Sequence, residues 1–171
     1  MRQKFVCIPG AFYHVILRSA TSEPLFFSPQ DQRSFCLILQ QWQKSFNHRI
    51  IAFCLMTNHV HLVLQAASPH MIASVHRLRY HYFHSIRARF SYRRVFSKSY
   101  LFELIRYVHM NPVKAGMVDS PEYYPWSSHR AYLGLDAYAW LHCGFILKHF
   151  IRPGRDPRMR FEYFITKGRV S

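Results

Sequence analysis

Two apolar runs, Arg49 to Met56 and Asn58 to Gln65, meet at Thr57-Asn58 with room for nothing longer than a tight turn. An antiparallel hairpin follows, because each strand needs a partner for its backbone N–H and C=O groups and a parallel crossover needs a dozen residues or more. A lone hairpin is marginal in water, so neighbours must cover it. Ala11 to Arg18 (AFYHVILR) supplies a third strand, rich in aromatic and β-branched residues. Ser28-Pro29-Gln30-Asp31 opens a helix, with Ser28 as N-cap, Pro29 at the first helical position and an acid in the first turn. Apolar residues at Phe35, Leu37, Ile38, Leu39 and Trp42 carry that helix to about Phe46.

A second helix is predicted from Pro69 to about Arg89. A third runs from Leu101 to His109 and ends before Pro112, since the residue preceding a proline is biased out of helical geometry. Gly116 closes a short turn after it. Trp140 to Phe150 and Arg158 to Lys167 carry weaker helical patterns, divided by Pro153-Gly154. The order β-α-β-β-α, then helix, predicts an α+β fold: a ferredoxin-like sandwich with an antiparallel sheet short of its final strand. The organisation expected is a domain over 1–134 and a small helical extension over 135–171.

Charge narrows the partners. The 171 residues hold 23 Lys and Arg against 8 Asp and Glu, a net charge of +15. No Asp or Glu occurs from Gln32 to Phe102, a stretch with ten Lys or Arg. Segregation of that kind points to a polyanion, nucleic acid first. Within it, Arg77, Arg79, Arg87, Arg89, Arg93, Arg94 and Lys98 interleave with Tyr80, Tyr82, Phe83, Phe90, Tyr92 and Phe96. Cations hold phosphates and aromatic rings stack on unpaired bases. The plainer reading is a solvated basic helix face whose aromatics belong to the core. Apolar runs are too short to span a bilayer, and Pro9-Gly10 interrupts the basic N-terminus before a leader core develops, so a cytoplasmic protein without a membrane partner is expected. Cys7, Cys36, Cys54 and Cys143 stand far apart and are expected as reduced thiols.

His59 and His61 lie two apart on the second hairpin strand, so they share a face, while Val60, Leu62 and Leu64 face the other way, toward the helices. Two adjacent imidazoles can grip a divalent metal. On spacing alone, ordinary exposed or hydrogen-bonded histidines are the commoner outcome. Glu103, Tyr107 and Asn111 are spaced four apart on one helix face. A phenol ionises near pH 10 and needs help to act as a nucleophile. On spacing alone, a half-buried packing residue is the commoner outcome for Tyr107.

Three phrases bring in a family. Met56-Thr57-Asn58-His59-Val60-His61-Leu62-Val63 resembles the M-x-N-H-V-H-L segment of REP-associated tyrosine transposases, a branch of the single-tyrosine HUH transposases. Arg106 to Val118 (RYVHMNPVKAGMV) is similar to their R-Y-I-H-x-N-P-V-R-A-G-x-V, and Tyr124 to Gly134 (YPWSSHRAYLG) to their Y-P-W-S-S-Y-R-A-Y-L-G. Tyr13-His14-Val15 fits as well. The resemblance implies that His59 and His61 are metal ligands for Mg²⁺ or Mn²⁺, that Asn111 is a polar third ligand and that Tyr107 is the nucleophile. It implies cleavage and rejoining of single-stranded DNA at hairpin-forming repetitive palindromic elements, through a 5′-phosphotyrosine. The basic helix and the region from Trp126 to Arg130 become candidates for gripping that DNA. A homodimer is left open.

One departure stands out. Relatives carry an extra strand before the tyrosine helix, whereas here Val95-Phe96-Ser97-Lys98-Ser99-Tyr100 runs almost directly into Leu101. Loss of a fourth strand exposes a sheet edge or shifts the helix that carries Tyr107. The alternative is therefore a catalytically inactive hairpin-binding protein derived from such a transposase. An unrelated basic RNA-binding protein explains the charge but not the three phrases.

Overall fold

The computed structural model describes residues 6–21, 23–83 and 88–168. The elements are β1 (Phe12–Ser19), α1 (Pro29–Phe46), β2 (Arg49–Leu55), β3 (His59–Gln65), α2 (Met71–Phe83), β4 (Ala88–Val95), α3 (Lys98–Lys114), α4 (His129–Leu133), α5 (Cys143–Leu147) and α6 (Pro157–Lys167), with two single 3₁₀ turns between the later helices. The strands form one antiparallel sheet in the order β2-β3-β1-β4.

The fourth strand is present, and this corrects the sequence reading. Among the described residues the second helix spans Met71–Phe83, and Ala88–Val95, expected in part as helix, form β4. Phe90 and Tyr92 turn one way, half-buried, while Arg89, Ser91 and Arg93 turn the other and are exposed. That two-residue alternation is a strand period, masked in the sequence by the interleaving of arginine and aromatics. Arginines along this outer strand also discourage unwanted pairing at its edge.

Helix α1 forms as its sequence prescribes. The Ser28 hydroxyl accepts from Asp31 N, and the Asp31 carboxylate accepts from the N–H groups of Ser28 and Phe27, a complete capping box. Helix α3 is longer than expected. It starts under the Ser97 cap and runs through Pro112 to Lys114. A proline in the last turn forfeits only one intrahelical bond, and buried Pro112 packs inward. Gly116, at φ 66°, ends it in left-handed backbone that a side chain would disfavour.

The sheet is covered on both faces. Val15, Leu17, Phe53, Val60, Leu62 and Leu64 pack with Phe35, Leu39, Trp42 and Leu78 of α1 and α2. On the reverse face Cys54, Val63 and Val95 pack with Leu104, Ile105 and Val108 of α3 and with Phe150, Phe161 and Ile165 near the C-terminus. The outer edge of β2 is sealed by the segment after α3. Leu55 N donates to Trp126 O and Ser128 N to Phe53 O, while the Tyr132 and Tyr124 hydroxyls donate to the carbonyls of Ile51 and Leu55. The Y-P-W-S-S phrase is thus an edge seal. The cysteines are free, three of them buried. No helix among the described residues is long and apolar enough to cross a membrane.

Candidate active site

Strand alternation and antiparallel register decide which side chains meet. His59 and His61 stand opposite Arg18 and Ile16 of β1. Their face therefore also carries His14, two residues before Ile16, and β4 adds Arg89, Ser91 and Arg93 opposite Arg18, Ile16 and His14. Helix α3 lies over this face and delivers Tyr107 to it. The Tyr107 ring stands edge-on to His61, with centroids 5.5 Å apart and an interplanar angle of 85°, and its centroid is 6.4 Å from that of His14. The rings of His59 and His61 are 4.8 Å apart. Tyr107 remains 41% exposed, so solvent reaches it. Lys114, two turns on, holds its ammonium 5.0 Å from the Tyr107 ring centroid.

Each histidine of the pair has its Nδ1 engaged. His59 Nδ1 is 2.8 Å from Asn58 Oδ1, and His61 Nδ1 is 2.9 Å from His14 Nε2. An amide oxygen only accepts, so His59 carries its proton on Nδ1 when neutral and presents a bare Nε2. His61 Nε2 is buried and has no hydrogen-bond partner among the described residues. Burial pushes the His61 imidazole down to about 3, with His59, His14 and Arg18 adding repulsion. Burial, then Arg93, brings His14 to about 4, and burial, then Arg18, lowers His59. All three rings are neutral at pH 7, the state in which imidazole binds a metal.

This donor set fits a divalent ion held by two imidazoles with open positions. Among the described residues no three His, Cys, Asp or Glu side chains gather into a closed cage. Completion falls to neutral or external oxygens. Asn111 shares the helix face of Tyr107, and its Nδ2 donates to Tyr107 O at 2.7 Å, so only its Oδ1 could serve as a metal ligand. Beside the tyrosine a cleft of about 530 Å³ is lined by His14, Ser91, Arg93, Tyr100, Arg106 and Lys114. Three cations in that wall outnumber its one acid, Glu103, and suit an anionic ligand.

The remaining candidates divide. Arg89 and Arg93 share the histidines' face. Lys98 begins α3, near its far end from Tyr107. Arg94 points to the opposite face, alongside Tyr13. Arg77 and Arg79 belong to α2 on that opposite side, where they line a separate cleft of about 640 Å³ with Trp42, Phe46 and Tyr80, away from the chemistry. Arg79 also donates to Ala88 O. Arg130 is half-buried and committed to Asp136, at 2.8 Å, and to the Glu122 carbonyl. Arg87 lies outside the described residues. His14, Arg18, Arg106 and Lys114 were not singled out from sequence. Alternation along β1 from the His59–His61 register points to the first two, and two-turn spacing from Tyr107 to the last.

An antiparallel α+β sandwich with a His-x-His pair on an inner strand, overlain by a helix-borne tyrosine in a cationic cleft, defines the class of protein. The model of the family described as Transposase IS200 like matches residues 7–115, and the chain belongs to that family. A structure of a REP-associated tyrosine transposase bound to a REP hairpin superposes with a TM-score of 0.65 at 13% identity, over 79% of this chain and 93% of that one. The four-stranded α+β fold is thus that of a tyrosine transposase. A tRNA(His) guanylyltransferase from Saccharomyces cerevisiae aligns over 96% of this chain and 80% of that one, but at 8% identity and a TM-score of 0.43, too low to carry an argument. No curated protein matches the sequence.

Proposed function

We propose that this protein is a transposase of the REP-associated kind, cleaving and rejoining single-stranded DNA at hairpin-forming elements through a phosphotyrosine formed on Tyr107. The carrying observation is the approach of Tyr107 to His61, with ring centroids 5.5 Å apart, across a gap between two elements far apart in sequence. The hairpin bound to the structurally similar transposase supports the choice of substrate.

In this reading the Tyr107 oxygen bonds to phosphorus as the P–O3′ bond breaks. The phenolic proton passes to solvent, which reaches the exposed edge of the ring. The departing 3′-oxygen takes up a proton and leaves as a hydroxyl, and the 5′ end stays on the tyrosine as a phosphodiester. One ester replaces another, so a second 3′-hydroxyl can reverse the step. Held by His59, His61 and Asn111, Mg²⁺ or Mn²⁺ would supply Lewis-acid polarisation of a phosphate oxygen. Arg93, Arg106 and Lys114 neutralise the phosphate and orient it for attack. His61 Nδ1 lies 2.9 Å from His14 Nε2, and in the tautomer that donates its Nδ1–H to His14 the lone pair of His61 stays on Nε2.

The test uses labelled single-stranded hairpin DNA, Mn²⁺ and a denaturing gel. The unaltered chain forms a covalent adduct, and Tyr107→Phe forms none. His59→Ala and His61→Ala lose the adduct but retain most gel-shift affinity, because phosphate contacts elsewhere dominate binding. A gel shift without any adduct from the unaltered chain assigns the protein to the inactive hairpin-binding alternative. Cleavage retained in either histidine variant removes their proposed role.

A further inference from the structure

Beside the first turns of α3, away from Tyr107, a cleft of about 400 Å³ is walled by Phe12, Phe96, Phe102 and Phe145 and rimmed by Lys98 and Lys148. Phe96 is 82% exposed. Three of the rings carry a cation: Arg94 lies 5.1 Å from the Phe96 centroid, Lys98 6.0 Å from Phe102 and Lys148 4.5 Å from Phe145. No acid lines this cleft among the described residues. Lys98 Nζ is 3.2 Å from His149 Nδ1, and since an ammonium can only donate, the imidazole accepts and is neutral. Burial, then Lys98 and Lys148, lowers His149 in the same sense. Lys98 is also the first residue of α3, an end at which the helix dipole disfavours a cation. Helix stability therefore does not account for its charge.

A second depression, about 600 Å³, shares Lys98, Phe102, Lys148 and His149 with this cleft, and its Glu103 also lines the cleft at Tyr107. Lys98 and Tyr107 are nine residues apart on one helix, about 14 Å along its axis. Phe145 and Lys148 lie beyond the residues matched by the family model, 7–115.

We propose that this cleft binds an unpaired nucleotide of single-stranded DNA that leads to or from Tyr107 along α3, its base stacked on Phe96 and its flanking phosphates held by Lys98 and Lys148. An exposed ring beside unopposed cations is the chemistry of a single-strand platform, where any base offers a π-face and the backbone supplies the anion. An apolar peptide would match the rings and leave the ammonium groups without partners. The direction of the strand rests on the cleavage reading of Tyr107; the binding itself needs neither the phenol nor a metal.

The experiment therefore uses full-length Tyr107→Phe protein in the presence of a chelator, with two fluorescent DNA hairpins, one blunt and one bearing a single-stranded flank. Phe96→Ala lowers affinity for the flanked hairpin about ten-fold or more and leaves the blunt one unchanged, while Phe96→Trp restores the parent value. Lys148→Gln weakens the flanked hairpin and flattens its salt dependence. A 2-aminopurine walked through the flank is quenched at one position in the parent and unquenched there in Phe96→Ala. Equal loss on both hairpins, or no loss on either (as for a cleft that serves a protein partner), overturns the proposal. Phe96 is a surface residue, and an unchanged unfolding midpoint excludes misfolding. Failure of adduct formation by the unaltered chain is a separate result, which removes the cleavage reading without touching this one.

Discussion

At His61 a single hydrogen bond decides which ring nitrogen faces the cleft. If its Nδ1–H donates to His14 Nε2, the buried Nε2 is a lone pair; the opposite arrangement would bury an N–H donor with no acceptor. His14 is thus a positioning residue, acting through His61. Replacing it with Phe keeps a ring against His61 and removes the acceptor. His14→Phe is expected to lose about 10- to 100-fold in Mn²⁺ affinity by titration calorimetry, the usual cost of deleting an outer-shell partner. In ¹⁵N spectra the His61 signals should move from the Nδ1–H tautomer toward a mixture. His14→Gln, whose amide oxygen accepts, should recover part of the loss. Metal affinity unchanged in His14→Phe would show that the contact is packing alone.

At the scale of elements, the seal on β2 depends on Ser128. Its hydroxyl accepts from Phe53 N at 2.9 Å, lies 3.2 Å from Phe53 O and is 2.7 Å from His109 Nε2. All of these groups are buried. Ser128→Ala leaves an N–H and a ring nitrogen unsatisfied and should cost about 2–4 kcal/mol by urea unfolding, since each buried orphan costs about 1–3 kcal/mol. A loss below about 1 kcal/mol would mean that the edge is held by its backbone bonds alone. This role was not legible in sequence, where Trp126 to Arg130 reads as a DNA grip. Polar residues and an arginine look like surface until their partners are known; Asp136 is only six residues from Arg130, but Phe53 is 75 residues from Ser128, a distance that a linear pattern does not carry. The hairpin, the α1 cap and the shared face of His59 and His61 were legible because periodicity and capping are local. β4 was hidden because an edge strand buries half a face, weakly. The reach of Tyr107 to His61 was not derivable from either motif, since it is set by α3 packing on Val63 and Val95.

For the whole molecule, the balance between charge and burial determines how it responds to acid. Burial lowers His14, His48, His61, His109 and His129, with His14 and His129 near 4 and His61 near 3. An unfolded histidine titrates near 6.5, so between about pH 6.5 and 4 the unfolded chain binds more protons than the folded one. Stability is then complete above pH 6.5 and falls as the pH drops toward the folded values. His129, fully buried beside His109 and Phe161, contributes about 2 kcal/mol of that loss by pH 5, at about 1.36 kcal/mol for each pH unit below 6.5. The net charge of +15 acts in the same direction, because each newly charged histidine joins an already cationic chain. Urea unfolding from pH 7.5 to 4.5 should show stability decreasing by more than one proton's slope, and His129→Leu should reduce that slope while leaving the rest. Added salt should soften the part due to self-repulsion and spare the part due to burial, because screening reaches exposed charges and not desolvated ones. A stability flat between pH 7 and 5 would mean that the buried imidazoles are not neutral in the fold, and with that the lone pairs assigned to the His59–His61 pair would lose their support.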